Sequence, residues 1–119
     1  MPRDYRVSLD DILEAIERIR DYTGGMDLER FQADRKTVDA VVRNLEILGE
    51  AAKNVPPHVR ALTPHVPWPK IAGMRDILIH AYFIVDCAII WDVVENKLPD
   101  LKAAAACLLA EDSADENRS

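Results

Sequence analysis

RKTVDAVVRNLEILGEAAKN, residues Arg35 to Asn54, reads as one amphipathic helix. Val38, Val41, Val42, Leu45, Leu48, Ala51 and Ala52 recur at steps of three and four. At 3.6 residues per turn they share one side of the helix and leave the other to charged residues. Pro56-Pro57 stops the run, because proline gives up the N–H that the helix would use. Toward the N-terminus, Leu9, Ile12, Leu13, Ile16 and Ile19 show the same spacing. Ser8-Leu9-Asp10-Asp11 before them resembles an N-cap with an acid at the third helical position. Gly24-Gly25 closes this first helix, and residues 26–34 form a connector with room for one or two helical turns.

Toward the C-terminus, residues 55–69 hold Pro56, Pro57, Pro64, Pro67 and Pro69. This is the composition of an ordered loop, with a short helical turn expected at His58–Leu62. From Trp68 the helical spacing returns through Ile71, Met74, Ile77, Leu78 and Ala81. It continues through Ile84, Ala88, Trp91 and Val94 to Leu98, with a bend expected near residues 80–86. Pro99 suits the first turn of a last helix that runs to Ala110. No alternation of period two and no internal repeat occurs. The expected architecture is an all-α bundle of four to five helices. Residues 1–110 form the domain, and residues 111–119 an acidic flexible tail.

The chain has 119 residues, which fits a single domain able to bury a core without staples. A hydrophobic content of 49% excludes a mainly disordered chain. The apolar runs are far below the ~20 residues that span a bilayer, and no apolar signal core follows the first residues, so a cytoplasmic protein is expected. Cys87 and Cys107 sit in apolar helical patterns and are expected to be buried, reduced thiols. No Cys/His cluster has zinc spacing, so neither a metal nor a cofactor is expected.

The 15 Lys and Arg against 21 Asp and Glu give a net charge of −6. Half of that excess lies in the tail, where Glu111, Asp112, Asp115 and Glu116 oppose only Arg118. Ala51 to Arg75 contains no acid at all but carries Lys53, Arg60, Lys70 and Arg75, with His58 and His65. Such a stretch offers a positive surface to phosphates, or is a loop that happens to lack carboxylates.

MRDILIHAY, Met74 to Tyr82, sets four polar groups into an apolar helix. Arg75, His80 and Tyr82 make the pattern R-x4-H-x-Y. Arg75 and Tyr82 are two turns apart and share a face, whereas Arg75 and His80 lie about 140° apart around a straight helix. The latter two converge if the helix bends, or if two copies meet across a dimer axis. Histidine suits proton transfer near neutral pH, and arginine suits holding a phosphate and the charge that builds on it. Read from the residues alone, the plainer reading prevails: His80 is a hydrogen-bonded, semi-buried histidine and Arg75 an ion-pair partner of Glu50 or Asp76. Trp68 and Trp91 could stack on bases, though core or dimer packing suits both better.

Trp68-x-x-Ile71-x-x-Met74-Arg75-Asp76-x-Leu78-x-His80-x-Tyr82 resembles the HepT family of HEPN-domain proteins. Asn44 to Ala52 is similar to the family's G-E-A segment, and Asp86, Trp91 and Leu98-Pro99-Asp100-Leu101 to its downstream D…W…LPxL pattern. The match runs in family order from about Ser8 to Leu101. The resemblance implies a HEPN-like helical homodimer or a higher homo-oligomer. It implies the ribonuclease toxin of a toxin–antitoxin pair, with a MntA-like nucleotidyltransferase as the antitoxin. By resemblance Arg75 and His80 are the catalytic pair, supported by Asp76 and Glu50, in a cleft between two subunits. Tyr82 matches the tyrosine that the partner modifies with AMP. Lys53, Arg60 and Lys70 would guide the RNA. This chain carries Asp76 where many relatives carry Asn, which keeps open a second reading: a non-catalytic helical dimer that binds the nucleotidyltransferase or a nucleotide.

Overall fold

The computed structural model describes residues 4–80 and 87–117, and every regular element among them is helical. The first helix, α1 (Tyr5–Thr23), begins earlier than its sequence signal. Asp4, not Ser8, is the N-cap: its carboxylate accepts the Arg6 backbone N–H at 2.9 Å, and the Arg6 guanidinium folds back to the same group. A cap one turn upstream leaves Ser8 inside the helix, fully buried on its apolar face, with a hydroxyl that has no hydrogen-bond partner among the described residues. Gly24 ends α1, and Gly25 turns the chain with φ of 78°, which costs a residue without Cβ little.

The connector holds α2 (Leu28–Ala33), capped by Asp27, whose side chain accepts the Arg30 N–H at 2.9 Å. It drives Phe31 into the core, fully buried, where its ring meets Trp91 at 5.1 Å between centroids. Asp34 then caps α3 (Arg35–Lys53) by accepting the Thr37 N–H at 3.2 Å. The expected turn after the double proline is α4 (Pro57–Arg60), and α5 spans Trp68–His80. The expected bend near residues 80–86 lies outside the described residues.

Residues 87–117 form one continuous helical run rather than two helices divided at Pro99. α6 (Cys87–Asp92) passes into a π-helical turn, Val93–Lys97, and then into α7 (Leu98–Asn117). Pro99 explains the wide turn. It cannot donate to the carbonyl one turn back, and its ring crowds that carbonyl. Widening the preceding turn moves the obstacle aside, and the Leu98 N–H reaches five residues back to Val93 O. The run also passes the expected end at Ala110 and continues to Asn117.

α3 is the central element, with α1 on one flank and α5 on the other, and α7 packs on α1. Leu9, Ile12, Ile16 and Ile19 of α1 meet Val41, Leu45 and Leu48 of α3 in the core, all at most 1% exposed. The buried aliphatic stripes are therefore the ones that the three-and-four spacing marked. Leu101, Ala105 and Leu108 supply the core face of α7. Both cysteines are free, and against expectation Cys107 is exposed and Cys87 half-buried. Cys107 sits one step around α7 from Leu108, enough to turn it from the core to solvent.

Candidate functional site

α5 carries the sequence-marked pair, and its start is fixed by a compact set of contacts. The Trp68 indole is 2% exposed and donates from Nε1 to Thr63 Oγ1 at 2.9 Å. The Arg60 guanidinium lies over the same ring, 5.9 Å from its centroid. From there Arg60 reaches back to the end of α3, donating from Nη2 to Ala52 O at 2.7 Å and from Nε to Val55 O at 2.8 Å. The C-terminal end of α3 and the N-terminal end of α5 are thus tied through one arginine and one tryptophan. Trp68 and Trp91 are both packing residues: one is buried, and the other is half-buried against Phe31.

Beyond that anchor the backbone of α5 carries Arg75, Asp76 and His80. Five residues of α-helix place Arg75 and His80 about 7.5 Å apart along the axis and about 140° apart around it. One helix therefore does not align them, as the sequence indicated. Tyr82 lies outside the described residues. Glu50 stands exposed on α3, the helix against which α5 packs, and Lys53 Nζ is 4.0 Å from its Oε2. An exposed pair at that distance contributes little.

The other cations separate by environment. Lys53, at the end of α3, and Lys70, in the first turn of α5, are exposed. Arg60 is half-buried with two of its donor groups committed to backbone carbonyls. His65 is exposed, and His58 makes an edge contact with Tyr5 at 6.5 Å. Sequence reasoning missed Lys97. It is exposed on the π-helical turn and lines the flank of α5 beside Lys70. Its nearness to Pro99 was visible, but the face it takes depends on a turn that spacing did not show. Among the described residues, no group of His, Cys, Asp and Glu could hold a metal ion, and no helix is long and apolar enough to cross a membrane.

An all-helical chain with an Arg and a His on a helix anchored beside exposed lysines is a candidate for phosphodiester chemistry. The sequence profile of the Ribonuclease HepT-like family matches residues 12–108. A protein of Thermococcus cleftensis named "Probable ribonuclease HepT" is 48% identical over 102 residues, covering 86% of this chain and 93% of the relative. A candidate RNase of Methanocaldococcus jannaschii is 44% identical over 119 residues, covering 98% of each chain. A candidate RNase of Caldanaerobacter subterraneus subsp. tengcongensis is 44% identical over 101 residues, covering 85% of this chain and 88% of the relative. The chain belongs to the HepT-like ribonuclease family. No solved structure matches it significantly.

Proposed function

We propose that this protein is a HepT-type toxin that cuts RNA without a metal, through Arg75 and His80. The observation that carries the reading is the shared placement of those two residues on α5 in a chain of the HepT-like ribonuclease family. RNA brings its own nucleophile, the 2′-hydroxyl beside each phosphodiester. His80 accepts the proton of that hydroxyl as O2′ attacks phosphorus, and the bond to O5′ breaks. Arg75 binds the phosphate and stabilises the charge that builds on its oxygens. The departing O5′ takes a proton, leaving a 2′,3′-cyclic phosphate and a 5′-hydroxyl.

A homodimer fits this chemistry better than one chain. A cleft on a two-fold axis brings the Arg75 of one copy toward the His80 of the other, which removes the 140° separation. It also carries two imidazoles, one for each proton moved. Lys53 and Lys70 supply phosphate contacts along the approach, and the donors Arg60 retains add to them. The partner is a MntA-like nucleotidyltransferase, which silences the toxin by transferring AMP to Tyr82. Asp76 favours the second reading, a non-catalytic helical dimer that binds the nucleotidyltransferase or a nucleotide, because a carboxylate next to Arg75 opposes an incoming phosphate. End-group analysis of RNA treated with the pure protein and EDTA decides between them. Cyclic phosphate ends that vanish in Arg75→Ala and His80→Ala support the nuclease. Intact RNA with intact binding of the partner supports the second reading.

A further inference from the structure

Two cavities adjoin along the flank of α5, between it and the helical run that begins at Cys87, and they share Pro67, Ile71 and Lys97. The first, about 220 Å³, is walled by Ile71, Met74, Ile89 and Val93 and is almost wholly apolar. The second, about 210 Å³, carries His65, Asn96 and Asp100. Lys70 and Lys97 stand on the rim of the apolar chamber, both exposed, and neither has an ion-pair partner among the described residues. Ile89 is 63% exposed although it forms part of an apolar wall. Met74, on the same wall, directly precedes Arg75 in α5.

We propose that this groove is a nucleotide subsite for single-stranded RNA, and the proposal rests on the ribonuclease reading above. The apolar chamber takes the two faces of one base, which need aliphatic contact and no hydrogen bond. Lys70 and Lys97 hold the phosphates on either side, as charge complementarity requires of two unpaired ammoniums on an apolar rim. The Asp100 carboxylate is the acceptor for the ribose 2′-hydroxyl, a donor that DNA lacks. A base seated against Met74 lies one residue along α5 from Arg75. The groove therefore sets which nucleotide flanks the cut, a role separate from the chemistry of Arg75 and His80.

Fluorescence anisotropy of a labelled 12-nucleotide RNA, titrated with full-length His80→Ala protein across a salt series, tests the subsite. That variant leaves the groove intact and, on the ribonuclease reading, leaves the RNA uncut. Adding Lys70→Ala and Lys97→Ala should weaken binding at least tenfold at low salt. It should also flatten the slope of log K against log salt by about 1.4, twice the ~0.7 expected per phosphate contact on a single strand. Asp100→Ala should erase the preference for RNA over DNA of the same sequence, and Ile89→Asp should weaken both. Affinity and slope within twofold of the reference in the double-lysine variant overturn the subsite. So does an Ile89→Asp protein that turns monomeric yet binds RNA unchanged, which would assign the groove to a second copy of the chain. Cleavage of the probe by the His80→Ala protein would instead overturn the assigned chemistry and leave the binding comparison standing.

Discussion

Arg60 Nη2 lies 2.7 Å from the carbonyl oxygen of Ala52, eight residues back along the chain. The last carbonyls of a helix have no partner within it, and they form the negative end of its dipole. A guanidinium that answers the Ala52 carbonyl in the last turn of α3, and the Val55 carbonyl just past it, is a cap as well as a cation. Arg60→Ala should therefore lower unfolding free energy by about 2 kcal/mol, the range for hydrogen bonds from a charged donor. Urea unfolding should show an earlier midpoint with an unchanged slope. Arg60→Lys should recover only part of the loss, because an ammonium cannot reach two carbonyls in the fork that arginine presents. Lys53→Ala, exposed at the same helix end, should stay within about 0.5 kcal/mol of wild type.

The two N-cap carboxylates at Asp4 and Asp34 predict a weakness in acid. The Arg6 side chain, with its backbone N–H, holds the Asp4 carboxyl below its ordinary 3.8. The Thr37 backbone N–H does the same for Asp34. A carboxyl whose folded pKa is depressed stabilises the fold above its unfolded pKa, and that share is lost as pH falls through the folded value. The loss should thus begin near pH 4 and deepen below it. Asparagine caps a helix without titrating. A protein with Asp4→Asn and Asp34→Asn should show a shallower fall in urea midpoint from pH 5 to pH 2.5 than wild type. Equal slopes would show that the caps are not what acid removes.

Catalysis should depend on Arg75 and His80 separately. Loss of a general acid–base group costs ~10²–10⁴-fold, and loss of a charge-stabilising donor ~10²–10³-fold. Arg75→Ala and His80→Ala should each lower RNA cleavage by at least 10²-fold while circular dichroism stays that of wild type. EDTA should leave the wild-type rate unchanged. A variant that retains the full rate would remove that residue from the mechanism.

The aliphatic stripes of α1 and α3 were legible because burial follows a fixed three-and-four spacing, and Leu9, Ile12, Leu45 and Leu48 fell where that spacing put them. What escaped was decided by competition between neighbours or by contacts distant in sequence. Ser8 is a good cap, but Asp4 offers a carboxylate one turn earlier, so the helix starts there. Pro99 signals a helix start as readily as a widened turn. Only packing of the whole run from Cys87 chose the turn, and with it the face that Lys97 takes. Arg60 read as one cation of an acid-free stretch, since its partners at Ala52 and Val55 are backbone atoms without a sequence signal. The residue types of the candidate pair were plain on α5, whereas the proposal of a second copy rests on helix geometry rather than composition.

The proposed control through Tyr82 rests on charge and on position in the chain. Tyr82 stands seven residues after Arg75, the interval that two helical turns would bring to one face. In the transfer, the phenolic oxygen attacks the α-phosphorus of ATP and pyrophosphate leaves. The product carries a phosphodiester, about one negative charge per AMP, and a bulky adenosine. On the proposed reading that phosphate would compete with RNA for Arg75, and the base would block the path of the strand. Modification should therefore inactivate the enzyme without unfolding it. Tyr82→Phe keeps the ring and removes the attachment point, so it should cut RNA at close to the wild-type rate and resist neutralisation by the proposed MntA-like nucleotidyltransferase. Mass spectrometry of the chain co-expressed with that enzyme should show additions in multiples of AMP, mapped to Tyr82 and absent from Tyr82→Phe. A chain that is fully neutralised yet unmodified would show that the partner acts by binding alone. The tyrosine would then serve packing rather than regulation.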